Sequence, residues 1–200
     1  MLDLEKNKLY IPLGRGLGEF TTSDNQRTFL IANGMKQIEL TEFEYIIWQQ
    51  MSNYETGEKW REAIEKNIPK NKKVNWVKIL NKFSIGQIFF SWYFSGIEDP
   101  KLVNTYVTRQ GYAHGLVEDK WLVSDKIMTR SIILTKDQFD VWNAGAGHTM
   151  FLEVIDNLMN QREISLEKAL ELLVDNGFTL VQLGLWNLEY IDLESEEGTL

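Results

Sequence analysis

The residues with reactive side chains are few in this chain. There are two histidines, His114 and His148, both in the second half, and no cysteine. A metal site would have to join them to carboxylates such as Asp137 or Asp140, because bound metals need a converging set of donors. Neither histidine has a ligand spacing such as His-Glu-x-x-His. His148 follows Gly145-Ala146-Gly147 ahead of an expected helix, which is a loop or capping position. No catalytic residue, metal or cofactor is expected, and the chain is read as not an enzyme.

Three other segments have functional potential. Gly14-Arg15-Gly16-Leu17-Gly18 could bring backbone close to a phosphate, but it lacks the Gly-Lys-Ser/Thr ending of a nucleotide loop. Its Gly-xxx-Gly spacing recurs at Gly111 and Gly115, which favours a structural turn or bulge. Lys66, Lys70, Lys72, Lys73, Lys78 and Lys82 form a run of six cations with no intervening acid. They are the candidate nucleic-acid contacts, since lysines facing phosphates give salt-sensitive affinity; the plainer reading is a solvated surface balancing an acidic helix. Phe90, Trp92 and Tyr93, within an aromatic run, are candidate partner-binding residues, set against the simpler expectation that such a run is core.

Composition narrows the classes. Apolar residues make up 44% of 200 and aromatics 12%, enough to fill one or two packed cores. The net charge of −8 is uneven: residues 1–100 carry thirteen basic and thirteen acidic side chains, residues 101–200 eight and sixteen. An acidic second half would repel phosphate there. No cationic leader opens the chain, and the longest apolar cluster, around residues 85–94, is shorter than the ~20 residues of a membrane span. These features, with the lack of cysteine, predict a cytoplasmic protein without a membrane partner.

A repeat sets the expected architecture. Residues 38–48 read IELTEFEYIIW and residues 132–142 read IILTKDQFDVW. At an offset of 94, Ile38, Leu40, Thr41 and Trp48 recur as Ile132, Leu134, Thr135 and Trp142. Upstream, Gly14 and Gly18 match Gly111 and Gly115 at 97, which implies three extra residues in the first copy. Downstream, Ile79-Leu80 align with Leu172-Leu173 at 93. Two repeats are expected, 8–96 and 103–193.

Each copy opens with β-prone segments, among them 9–11, 29–31 and 36–40 in the first and 106–108, 121–123 and 131–134 in the second. Asn33-Gly34 is a two-residue hairpin signal. Thr41 and Thr135 are expected helix N-caps, Thr41-xx-Glu44 and Thr135-xx-Gln138 having the form of capping boxes. Further helices are expected near 57–66, 75–83, 150–160 and 165–175, the last stopping at Asn176-Gly177, with a closing strand near 188–193. The fold class is therefore α+β: tandem winged-helix-like units, each a small antiparallel sheet followed by about three helices.

A sheet running into Leu-Thr and then Trp, followed by helices and a Leu-Leu…Gly-Phe close, resembles the PqqD-type recognition domains. The residues concerned are Leu40-Thr41 with Trp48, Leu134-Thr135 with Trp142, and Leu172-Leu173 with Gly177-Phe178. The first copy departs from the pattern at Ser84-Ile85. The resemblance implies a winged-helix-like fold that holds a leader peptide as an added strand. The leading expectation is thus a non-catalytic binding protein that holds a protein or peptide partner through a strand edge or the inter-repeat groove. The alternative is a DNA-binding transcriptional regulator using the lysine-rich segment 66–82.

Overall fold

A computed structural model describes residues 8–54, 56–69, 73–92, 104–125 and 128–191, with the side chain of Trp92 excluded. Among these the fold is mixed α+β, with six α-helices and several small antiparallel sheets. The chain divides into two compact units, residues 1–99 with 190–200, and residues 100–189.

The first unit runs β1 (Leu9–Pro12), β2 (Arg15–Thr21), β3 (Arg27–Asn33), β4 (Lys36–Leu40), α1 (Glu42–Gln50), a 3₁₀ turn at Met51–Asn53, α2 (Gly57–Lys66), α3 (Trp76–Ile85) and β5 (Phe89–Trp92). The second runs β6 (Thr105–Arg109), β7 (Tyr112–Val117), β8 (Lys120–Ser124), β9 (Ser131–Leu134), α4 (Lys136–Ala144), β10 (His148–Met150), α5 (Phe151–Arg162), α6 (Leu166–Gln182) and β11 (Trp186–Tyr190). Apart from the short segment after the first helix, the order is the same. In each unit a three-stranded meander precedes the helices, β2-β3-β4 or β7-β8-β9, and the opening strand pairs with the closing one.

Both capping boxes form. Thr41 accepts from the Glu44 amide while Glu44 accepts from the Thr41 amide at 2.9 Å; Thr135 and Gln138 repeat the exchange at 3.2 and 3.0 Å. Two otherwise orphan amides are thereby satisfied where each first helix begins. The helix then turns its tryptophan inward. Trp48 donates through Nε1 to the Ile88 carbonyl at 2.9 Å, and Trp142 to the Gln110 carbonyl at 3.0 Å. Around Trp48 the first core gathers Ile31, Leu40, Ile47, Trp60, Leu80 and Phe83, with Trp60 and Trp76 edge to face at 5.2 Å. The second buries Val123, Leu134, Val141, Trp142, Val154, Leu158, Leu173 and Leu180. Each such side chain contributes about 1.5–3 kcal/mol by leaving water.

The glycine motif is structural. β2 pairs with β3 through a register shift between Gly16 and Gly18, and β7 with β8 through one between Ala113 and Gly115. Gly18 and Gly115 have φ of +91° and +110°, a bulge conformation that costs glycine little. The three extra residues of the first unit resolve into two changes. The second meander has a shorter first hairpin, turning at Glu118-Asp119 rather than across 22–26, and a longer connection before its third strand.

Several expectations need correction. The first meander turns at Gly34-Met35, one residue beyond Asn33-Gly34, because Asn33 still pairs with Lys36. Helix α6 does not stop at Asn176-Gly177 but continues to Gln182. Asn176 Nδ2 donates to the Leu172 carbonyl at 2.8 Å inside the helix, and Gly177 is buried, where a Cβ would lie 3.4 Å from both Leu173 and Trp186. That glycine lies within the helix and does not terminate it. The downstream alignment changes with it. The turn after α3, Gln87 N to Ser84 O and Ile88 N to Phe83 O, is matched by Gly184 N to Val181 O and Leu185 N to Leu180 O, an offset of 97 rather than 93. The closing strand is Trp186–Tyr190, starting earlier than expected.

Candidate binding surfaces

The lysine run does not act as one set. Lys66 ends α2 and is exposed; Lys73 and Lys78 are exposed before and on α3. Lys82, one turn beyond Lys78, instead reaches Glu44 Oε2 at 2.5 Å. Burial opposes the Glu44 charge, but Lys82 and the Thr41 amide outweigh it and hold the carboxyl below its ordinary value. Lys70 and Lys72 lie outside the described residues. Trp76, within the run, is buried and donates to Glu65 at 2.7 Å. Glu65 also accepts from Arg61, and these bonds outweigh desolvation to lower its pKa.

Amphipathic spacing sorts α3 into two sides. Trp76, Ile79, Leu80 and Phe83 are buried, whereas Asn75, Lys78, Asn81 and Ile85 are exposed at i, i+3, i+6 and i+10 and line one open groove with Val77 and Lys82. Arg61, Glu65, Lys66 and Lys73 border another with Ile68, Pro69 and Val74. No acid occurs in α3 or in the connection 67–75 before it.

Phe90 is fully buried in β5, opposite Ile11, and is not available to a partner. Its neighbour Phe89 is buried as well, so this end of β5 is covered on both faces, as the apolar run favoured. Trp92 pairs by its backbone with Leu9, and its side chain, like Tyr93, lies outside the described residues.

The histidines are in strands or at a strand bulge, not in a helix-capping loop. His148 opens β10, where Nδ1 lies 2.9 Å from Thr108 Oγ1 and the ring stacks on Tyr106 at 4.7 Å. His114, at the β7 bulge, has Nε2 2.9 Å from Ser124 Oγ. The carboxylates that a histidine site would recruit, Asp137 and Asp140, both accept from Arg162, at 2.7 Å for Asp137. Burial opposes the Arg162 charge, yet these two bonds hold its pKa above the ordinary value. Among the described residues no three His, Asp or Glu side chains converge as metal ligands.

Sequence reading missed the outer faces of the two meanders. Directly opposed residues share a face of an antiparallel pair. In the second unit this places Tyr112, Val117, Leu122 and Ile133 together, opposite the face where Trp121 stacks on Phe139 of α4 at 3.7 Å. Tyr112, Val117 and Ile133 are 51%, 48% and 59% exposed. The matching face of the first unit carries Arg15, Gln37 and Glu39, with Leu30 and Phe20. Within each meander, β2 or β7 is an edge strand, and five of the six β7 residues are exposed.

No helix among the described residues is long and apolar enough to cross a membrane. No protein-family model, curated protein or solved structure matches the chain.

Proposed function

We propose that the protein is a non-catalytic binding protein made of two winged-helix-like units of common origin, and that it holds an extended protein or peptide segment on the β7 edge of its second unit. The observation that carries this is the pairing of an exposed edge strand with an apolar outer face at Tyr112, Val117 and Ile133. An added strand draws affinity from backbone bonds and specificity from alternate side chains. The bulge at Ala113/Gly115 interrupts the edge, as bulges do where indiscriminate pairing must be avoided. The backbone contribution is therefore short, and the outer face has to supply much of the contact.

A displayed library of random extended peptides, selected on the full chain, tests this. Recovered sequences should alternate apolar residues and slow amide exchange across 112–117. Val117→Asp, on β7 itself, should weaken the selected peptide about tenfold, some 1.4 kcal/mol, while Glu39→Ala in the first unit leaves it unchanged. An absence of enrichment, or protection confined to other strands, overturns the reading.

A further inference from the structure

From the exposed face of α3 we infer a second binding function, carried by the first unit and independent of the peptide site: docking of this helix in the major groove of duplex DNA. The face is built for groove contact in three respects. It is cationic, since Lys66, Lys73 and Lys78 are exposed, α3 and the connection before it hold no acid, and the carboxylates of Glu65 and Glu44 are paired with Arg61 and Lys82. Its exposed line is also mixed in chemistry. Lys78 and Asn81 offer the donors and acceptors that read base edges, and Ile85, 83% exposed, offers an apolar surface to a thymine methyl.

The third respect is shape. An α-helix with its side chains is ~10–12 Å across and enters a major groove ~12 Å wide. The deep, narrow major groove of duplex RNA does not admit it. Lys66 and Lys73, off the helix line, are placed for phosphates rather than bases, a role that positions without specifying. Lys82 is excluded from the contact set because it is engaged by Glu44. The protein's overall charge of −8 does not govern this face, because at physiological salt exposed charges are screened within ~8 Å.

The test is a titration of the full chain against a fluorescent duplex pool with a randomised centre, at ~50 and ~200 mM salt. Two phosphate-facing lysines, Lys66 and Lys73, predict a slope of about −1.8 in log affinity against log salt, roughly a 12-fold loss across that range. Lys73→Gln should reduce the slope by about 0.9, and Asn81→Ala should leave the slope unchanged while shifting the selected sequences. Lys168→Gln, in the second unit, should change neither. Circular dichroism of each variant separates misfolding from lost contact. No binding at ~50 mM salt overturns the inference. So does an equal effect of Lys168→Gln, or binding to phosphatidylserine vesicles or polyglutamate with the same dependence on Lys73.

Discussion

The third helices of the two units differ in charge and in length. Helix α3 has ten residues, two lysines and no acid; α6 has seventeen residues, with Glu167, Glu171 and Asp175 against Lys168. The preceding connection changes in the opposite sense, 67–75 in the first unit against 163–165 in the second. The meander faces differ as well, Arg15 and Glu39 occupying the places of Tyr112 and Ile133. Where the units agree, at the capping threonine, the inward tryptophan and the bulge glycine, the residue determines backbone path or packing. Several of the positions at which they disagree, among them Arg15 and Glu39 in the first unit and Tyr112 and Ile133 in the second, face solvent. A similar order of elements thus presents a charged sheet face with a cationic helix in one unit and a more apolar sheet face with an acidic helix in the other.

The largest test of the shared part is removal of the tryptophans. Trp48→Ala and Trp142→Ala should each cost about 3–5 kcal/mol in chemical denaturation, since each empties a core and leaves a carbonyl without its indole donor. Losses differing by more than about 2 kcal/mol would break the equivalence. A smaller effect sharpens it. The turn after α3 places Gln87 at φ +53°, where the second unit has Gly184 at +69°. Left-handed backbone strains a residue with a Cβ by roughly 1–2 kcal/mol. Gly184→Gln should therefore destabilise by about 1 kcal/mol, and Gln87→Gly should stabilise by somewhat less, because the Gln87 side chain also accepts from Lys36. Thermal unfolding of both variants gives the signs.

The smallest effect concerns acid. Glu44 and Gln138 occupy the same capping position, but only Glu44 titrates, with a carboxyl held below the ordinary value in the folded state. Its stabilisation is complete above about pH 4.5 and falls away as pH drops through the lower folded value. Glu44→Gln should remove that part of the acid dependence, measured as the difference in denaturation midpoint between pH 6 and pH 3.

Much of the helical framework was legible because capping is local: a threonine, three residues, then Glu or Gln announce a helix start without reference to the rest of the chain. The tryptophans were legible for a similar reason, since few surfaces other than a core accommodate an indole at that spacing. Strands β2 and β7 were not read, because their glycines interrupt the alternation by which a strand is recognised. The apolar outer face was hidden by the same bulges. One unpaired residue reverses the parity of everything beyond it, so which side Tyr112 shares with Ile133 depends on the register and not on spacing. The separation of Lys82 from Lys78 was also hidden, because Glu44, thirty-eight residues earlier, decides it.

The indole bonds have one more consequence. Leu13 donates its amide to the Ile88 carbonyl that also accepts from Trp48, and Gln110, whose carbonyl accepts from Trp142, donates to Leu185. In each unit the chain's point of entry and point of exit are therefore joined, and the first helix is latched to that seam. A module whose doorway serves for both arrival and departure can be cut open elsewhere and rejoined there by a short linker. Circularly permuted versions of either unit, opened at the Thr22–Gln26 turn or at Glu118-Asp119, should retain the fold.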